Sequence, residues 1–179
     1  MRVGELCEKR QVIAGLETTG VGDGHRIIEI GCIELIRRQP SGRHFHRYIN
    51  PSREIDAEAV EVHGITTAFL TDKPGFSEIA YGLVEFLNGA ELIVHNAPFT
   101  CGFFDYELNL MGMLPLEKIC IDIVDILKLA KEMRPRKSNS LNDLIAEYGV
   151  DPSGSELHGT LLDANLLAEI YLSMTYRYH

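Results

Sequence analysis

QVIAGLE, residues 11–17, is a short apolar run closed by the turn residues TTGVGDG at 18–24. That length and those borders predict a buried strand rather than a helix. RIIEIGCIELI (26–36) is a second apolar stretch, and RHFHRYI (43–49) a third that alternates. Three strands joined by short Gly- and Pro-containing loops predict an antiparallel meander. After Pro51 the period becomes helical. Segments 56–62 and 76–88 carry it, the second through Phe76, Ile79, Ala80, Leu83, Val84 and Leu87, with Gly89 as a stop signal. ELIVH (91–95) predicts a fourth strand and 101–111 a helix. CIDIV (120–124) predicts a fifth strand leading into a helix at 125–133, and helices at 140–148 and 160–174 follow. Strands followed by alternating helix and strand, over 179 residues without linker or repeat, predict one mixed-sheet α/β domain.

Composition narrows the classes. With 45% hydrophobic and 24% charged residues the chain is neither disordered nor collagen-like. No apolar run approaches the ~18 residues of a membrane span, and MRVGELCEKRQ does not read as a secretory signal. Cys7, Cys32, Cys101 and Cys120 lie far apart with no C-x-x-C pair, which suits free thiols in a reducing cytoplasm. The net charge of −9 argues against phosphate neutralisation over a broad surface. Nucleic-acid contact would have to be local, through a short basic patch or bridging cations.

Several residues invite chemistry, each beside a plainer reading. Gly20, Gly22 and Gly24 lack the spacing of a dinucleotide loop and precede a strand, so they read as a flexible turn. Glu17 ends an apolar strand, and period two puts position 15 on the same face ~7 Å away. Two carboxylates there would seat a metal, but position 15 is glycine, and Glu17 alone reads more readily as a solvated strand end. His158 and Asp163 cannot share a face of a regular helix. To act together, His158 must precede the helix at 160–174 and Asp163 must lie in its first turns; otherwise Asp163 is a carboxylate favoured by the helix dipole. In HNAPFT (95–100), polar groups stand at a strand end where open α/β sheets contact ligands, although Thr100 reads first as a helix cap. Arg134-Pro-Arg136-Lys137-Ser138-Asn139-Ser140 reads as a solvated basic loop, with phosphate contact as the second reading.

RQVIAGLETTG, GHRIIEIG, VHGIT, ELIVHNAPF, FDYE, KSNSLNDL and LHGTLLDANLLAEIYLSMT occur in this order over nearly all of residues 10–175. Together they resemble the DEDDh (DnaQ-like) 3′–5′ exonucleases, on the branch of proofreading domains of the DNA polymerase III epsilon type. The resemblance implies a ribonuclease-H-like fold, a five-stranded mixed sheet flanked by helices. It implies hydrolysis of 3′-terminal nucleotides of single-stranded DNA in replication, with the polymerase catalytic subunit as partner and no membrane. In that family four acidic residues hold two Mg²⁺ or Mn²⁺ ions and a histidine activates the attacking water. The family's D-x-E motif falls on Gly15 and Glu17, and its second aspartate on Thr100, so two of the four acids are missing. The histidine falls on His158 and the last aspartate on Asp163. Glu17 and Asp163 are then the remaining metal ligands and His158 the general base. The nucleotide contacts fall on Thr18, Thr19, Val62, His63, Asn96 and Phe99.

Glycine offers magnesium no side-chain oxygen, and a threonine hydroxyl is a poor substitute for a carboxylate. The expectation is one weakly held ion or none, and strongly impaired hydrolysis. Asp105 and Glu107 are not replacements, because the family is acidic there already; Asp23, in the glycine loop, is a remote one. The polymerase-binding tail of the family is expected to be absent, since the sequence stops sixteen residues after Asp163. The alternative is a non-catalytic module that grips 3′ ends or serves as a scaffold, and an RNA-directed nuclease of the same superfamily is a third reading.

Overall fold

The computed structural model describes residues 10–176. Cys7 and the amino-terminal stretch read above lie outside the described residues. In chain order the elements are β1 (Arg10–Thr18), β2 (Ile27–Ile36), β3 (Gln39–Tyr48), α1 (Ala57–His63), α2 (Thr67–Leu70) and α3 (Phe76–Leu87). Next come β4 (Glu91–Val94), α4 (Ala97–Leu110), α5 (Leu116–Ile119), β5 (Asp122–Asp125) and α6 (Ile126–Met133). α7 (Leu141–Tyr148), a 3₁₀ turn (Pro152–Gly154) and α8 (Gly159–Thr175) follow.

The five strands form one sheet in the order β3-β2-β1-β4-β5. β1, β2 and β3 make the antiparallel meander, while β4 runs parallel to β1 and β5 parallel to β4. Alternation along β1 divides the core. Val12 and Ala14 pack with Leu83 and Leu87 of α3 and Phe104 and Leu108 of α4. Ile13 faces the other way, among Ile126 and Ala130 of α6, Leu144 of α7, and Leu161, Leu167 and Ile170 of α8. Each such fully buried aliphatic or aromatic side chain contributes about 1.5–3 kcal/mol.

Gly15 and Glu17 lie on the Ile13 face by the same period. The β1–β2 register sets Ile13 opposite Ile33, Gly15 opposite Gly31 and Glu17 opposite Glu29. Here the first turn of α8 comes down on the sheet. A Cβ on Gly31 would lie 2.5 Å from both Leu161 N and the Thr160 carbonyl carbon, so the helix backbone occupies the space a side chain would need.

Two boundaries differ from the sequence reading by four residues, the others by one or two. β3 begins at Gln39 rather than 43, because Arg37 and Arg38 (φ 52° and 62°) form a two-residue turn that pairs Ile36 with Gln39. Such hairpins usually announce themselves by Asn or Gly, and Arg-Arg gives no such signal. Pro40 is tolerated because β3 is an edge strand. α4 begins at Ala97 rather than 101, since Pro98 sits in the first turn, where its missing N–H is not needed. Thr100 therefore lies inside the helix and does not cap it. Its Oγ1 donates to the His95 carbonyl at 3.3 Å. The four-residue helices α2 and α5 are too short to leave a periodic trace.

The close approach at Gly31 gives a sharp test. Gly31→Ala is expected to lower stability by about 3 kcal/mol, because the obstructing atoms are backbone. Gly82→Ala in α3, whose Cβ would meet Phe45 at an ordinary 3.7 Å, should raise it by about 0.5–1 kcal/mol. Urea unfolding midpoints read both; equal midpoints for Gly31→Ala and the parent would contradict the packing described.

Candidate active site

The site lies where β1 and β4 end. Beyond Val94 the chain turns through His95 and Asn96 into α4. Asn96 adopts a left-handed conformation (φ 66°, ψ 71°), and its N–H donates to Asp125 Oδ1 at 3.1 Å. Asp125 also caps α6 by accepting from Leu127 N and Lys128 N, so one carboxylate fixes both strand ends. His95 Nε2 donates to the Asn139 carbonyl at 2.8 Å and ties the basic 134–139 loop to the same edge.

A cavity of about 240 Å³ opens here, with Gly15, Asn96, Phe99, Thr100, Leu141 and Asp163 among its lining residues. A Cβ built on Gly15 would stand 3.9 Å from Asp163 Cβ and 3.3 Å from the Thr160 carbonyl oxygen. Gly15, Thr100 and Asp163 thus share one space. Asp163 lies one turn into α8, and His158 precedes that helix, as the sequence requires of a cooperating pair. The His158 ring is exposed, makes no capping bond and is not part of the cavity lining.

Glu17 is electrostatically part of this group. Burial first, then the charges of Asp163 and Glu29, push its carboxyl up to about 7. Burial, followed by Glu29, also raises Asp163. Glu29 joins the site without a signal in the apolar pattern, as a single acid within the run IIEIG. Its carboxylate accepts from His46 Nε2 at 2.8 Å and from Thr160 N at 3.3 Å, so it joins β2, β3 and the start of α8. Its mark is its placement: an acid in a buried strand, two residues from Gly31 on the same face.

The other expected contacts form a second arm. Thr18 Oγ1 donates to the Gly20 carbonyl at 2.7 Å. Thr19 is fully buried, and its Oγ1 accepts from Arg26 N and pairs with His25 Nδ1, both at 3.0 Å. His63 Nδ1 accepts from Ile65 N at 3.0 Å, which places its proton on Nε2, and Nε2 donates to the Thr18 carbonyl at 3.2 Å. Burial lowers the His63 pKa and keeps this neutral tautomer. Val62 beside it is 84% exposed, an apolar side chain with no packing role.

The donor set does not fit a pair of divalent ions. Gly15 supplies no oxygen, the Thr100 hydroxyl is turned to His95, and Glu29 is occupied by His46 and Thr160. Among the described residues no group of three or more His, Cys, Asp and Glu side chains is placed to hold a metal ion. Nor do the other acids help. Asp105 accepts from Leu116 N, Glu107 is held by Arg26 at 2.8 and 2.7 Å, and Asp23 is exposed.

An antiparallel meander continued by parallel strands, with acids gathered at the strand ends under a closing helix, defines a ribonuclease-H-like domain of the nuclease class. The chain belongs to the Exonuclease (RNase T) family, which it matches over residues 12–171; exonucleases of this kind depend on divalent metal ions. It is 46% identical over 173 residues to the DNA polymerase III subunit epsilon of Pasteurella multocida, covering 93% of this chain and 68% of that protein. The corresponding protein of Escherichia coli K12 is also 46% identical, over 93% of this chain and 71% of its own length. Among solved structures, the nuclease domain of 3′hExo, a DEDDh member bound to rAMP, superposes with a TM-score of 0.76 at 16% identity, over 95% of this chain and 93% of that one. Exonuclease I in complex with the inhibitor BCBP gives 0.80 at 15%, over 95% and 42%. At such identities these likenesses show the fold. No helix among the described residues is long and apolar enough to cross a membrane.

The raised pKa of Glu17 makes a prediction whose sign is fixed. The folded state binds this proton more tightly than the unfolded chain, so the contribution is present below pH 4.5 and lost as pH rises through about 7. Without divalent ions, Glu17→Gln should therefore stabilise the domain at pH 8 by roughly 1–2 kcal/mol, allowing for solvent screening. The difference should vanish near pH 4. Unfolding curves at the two pH values check it; a variant less stable than the parent at pH 8 would contradict the crowding of Glu17 by Asp163 and Glu29.

Proposed function

We propose that this domain engages the 3′ end of single-stranded DNA in the manner of a polymerase III epsilon exonuclease, with strongly impaired hydrolysis. The observation that carries the reading is the cavity shared by Gly15, Thr100 and Asp163. The positions at which the family resemblance places acids face one another, and two of them no longer carry one. Thr18, Thr19, Val62, His63, Asn96 and Phe99 are the contacts for the terminal nucleotide. Their support is the hydrogen-bonded frame around Thr18, Thr19 and His63 and the tie from Asn96 to Asp125.

In this reading Glu17 and Asp163 hold at most one divalent ion, weakly, and His158 takes the proton of water in whatever hydrolysis remains. An exposed imidazole just before a helix is free to turn toward a bound strand. The retained property is grip on the end. Single-stranded DNA and, from the similarity to epsilon subunits, a polymerase catalytic subunit are the partners we assign. The domain comprises the whole chain, with its core at residues 10–175, and works in the cytoplasm.

The test restores the acids. Gly15→Asp must displace the Thr160 carbonyl by a few tenths of an ångström, and Thr100→Asp gives up the bond to His95; both are small adjustments. With Mg²⁺ and a 5′-labelled single strand, the double variant should release 3′ nucleotides at least about a hundredfold faster than the parent. Its gain should exceed the product of the single gains, since such ligands act as a unit. His158→Gln in that background should remove most of what is recovered. Equal rates for parent and double variant would show that neither aspartate was needed, and the reading would fall.

A further inference from the structure

On the far side of Phe99 lies a second cavity, of about 400 Å³, between the loop after β1 and α4. Its walls include Asp23 and His25 from the loop and Phe99, Gly102, Phe103 and Tyr106 from the helix. The three aromatic residues follow one another by four and three positions and so share one helix face. Gly102 sits among them in the interior of a fourteen-residue helix, where glycine is a poor choice. Packing does not demand it, because a Cβ there would meet nothing within 4 Å. What the missing side chain does is leave the slot open.

The opposite wall is held in place before anything binds. Thr19 fixes His25 and Arg26 N, and Arg53 Nη1 donates to the Gly24 carbonyl at 2.5 Å. The lining contains no Lys or Arg, and Asp23 would repel a phosphate. Aromatic faces with a carboxylate and an imidazole at the rim suit the flat face and amino edge of a nucleobase. The depression across Pro98 has no aromatic lining and is of mixed charge, with Lys128 and Lys131 beside Asp125 and Glu132. Phe99 lines both the aromatic slot and the active-site cavity, so their occupants would lie next to each other. The Thr18–Thr19–His63 arm, assigned above to the terminal nucleotide, does not line the slot.

We propose that this slot is a stacking subsite for the base one position in from the 3′ end of a bound single strand. The proposal rests on the single-strand reading of the site given above.

Fluorescence anisotropy with a 5′-fluorescein oligodeoxynucleotide, in EDTA so that no hydrolysis intervenes, tests it. Abasic residues are placed in turn at the first, second and third positions from the 3′ end. The parent should lose about tenfold in affinity for the oligonucleotide abasic at the second position, the usual scale of one stacked base. Gly102→Leu, which fills the slot, should bind the intact oligonucleotide about tenfold more weakly and show no further loss with that abasic substrate. Tyr106→Ala should show a smaller loss of the same kind. A melting temperature for Gly102→Leu at or above the parent's shows that the variant is folded. Parent-like affinity of folded Gly102→Leu, or sensitivity confined to the first base, overturns the subsite while leaving 3′-end binding intact. A parent that binds no single strand at all overturns the subsite and the functional reading together.

Discussion

The first turn of α8 and the middle of the β1–β2 pair meet with no side chain between them at Gly31. That contact sets the helix height over the sheet and, with it, the position of everything the helix carries. Thr160 N reaches Glu29, and Asp163 comes to rest beside Gly15 and within electrostatic range of Glu17. A bulkier residue at Gly31 would lift the helix and break this register in one step. Glu29 reinforces it from below, because its carboxylate binds His46 on β3 as well as the helix start.

The two arms of the site are supported in opposite ways. Around Thr18, Thr19 and His63, the contacts described are hydrogen bonds to backbone groups and to His25. Around Glu17, Glu29 and Asp163, three acids share one face, and only Glu29 has close donors. Such an arrangement is comfortable only when positive charge is supplied, by protons or by cations. The hydrogen-bonded frame around Thr18, Thr19 and His63 thus stands beside an acid-rich face in a chain of net charge −9.

The strands and long helices were legible because their apolar spacing is strong. β1, β2 and β4 are short buried runs, and α3 and α8 carry many core positions. The features without a sequence signal have weak local chemistry. The Arg37–Arg38 turn lacks the residues that usually mark its conformation, and Pro98 hid the start of α4. Site positions 15, 17, 100, 158 and 163 came from the family register; spacing alone left Glu17 a solvated strand end and Thr100 a cap. Glu29 was legible in principle, but a single acid in an apolar strand is easily absorbed into the pattern around it. The slot beside Gly102 could not be read at all, because it depends on the loop after β1 packing across a helix some eighty residues away.

Gln11 Nε2 donates to Glu91 and to the Tyr171 hydroxyl, 80 and 160 residues along the chain, so the central strand is bound to the last helix by a buried polar link. During synthesis β1 leaves the ribosome 160 residues ahead of its partner in α8. Until α8 emerges, the sheet face bearing Ile13, Ile33 and Ile93 lacks that helix, and the acids of that face remain in water. Completion of the site therefore waits on α8, and a chain stalled before it presents a partly uncovered apolar face to chaperones and proteases.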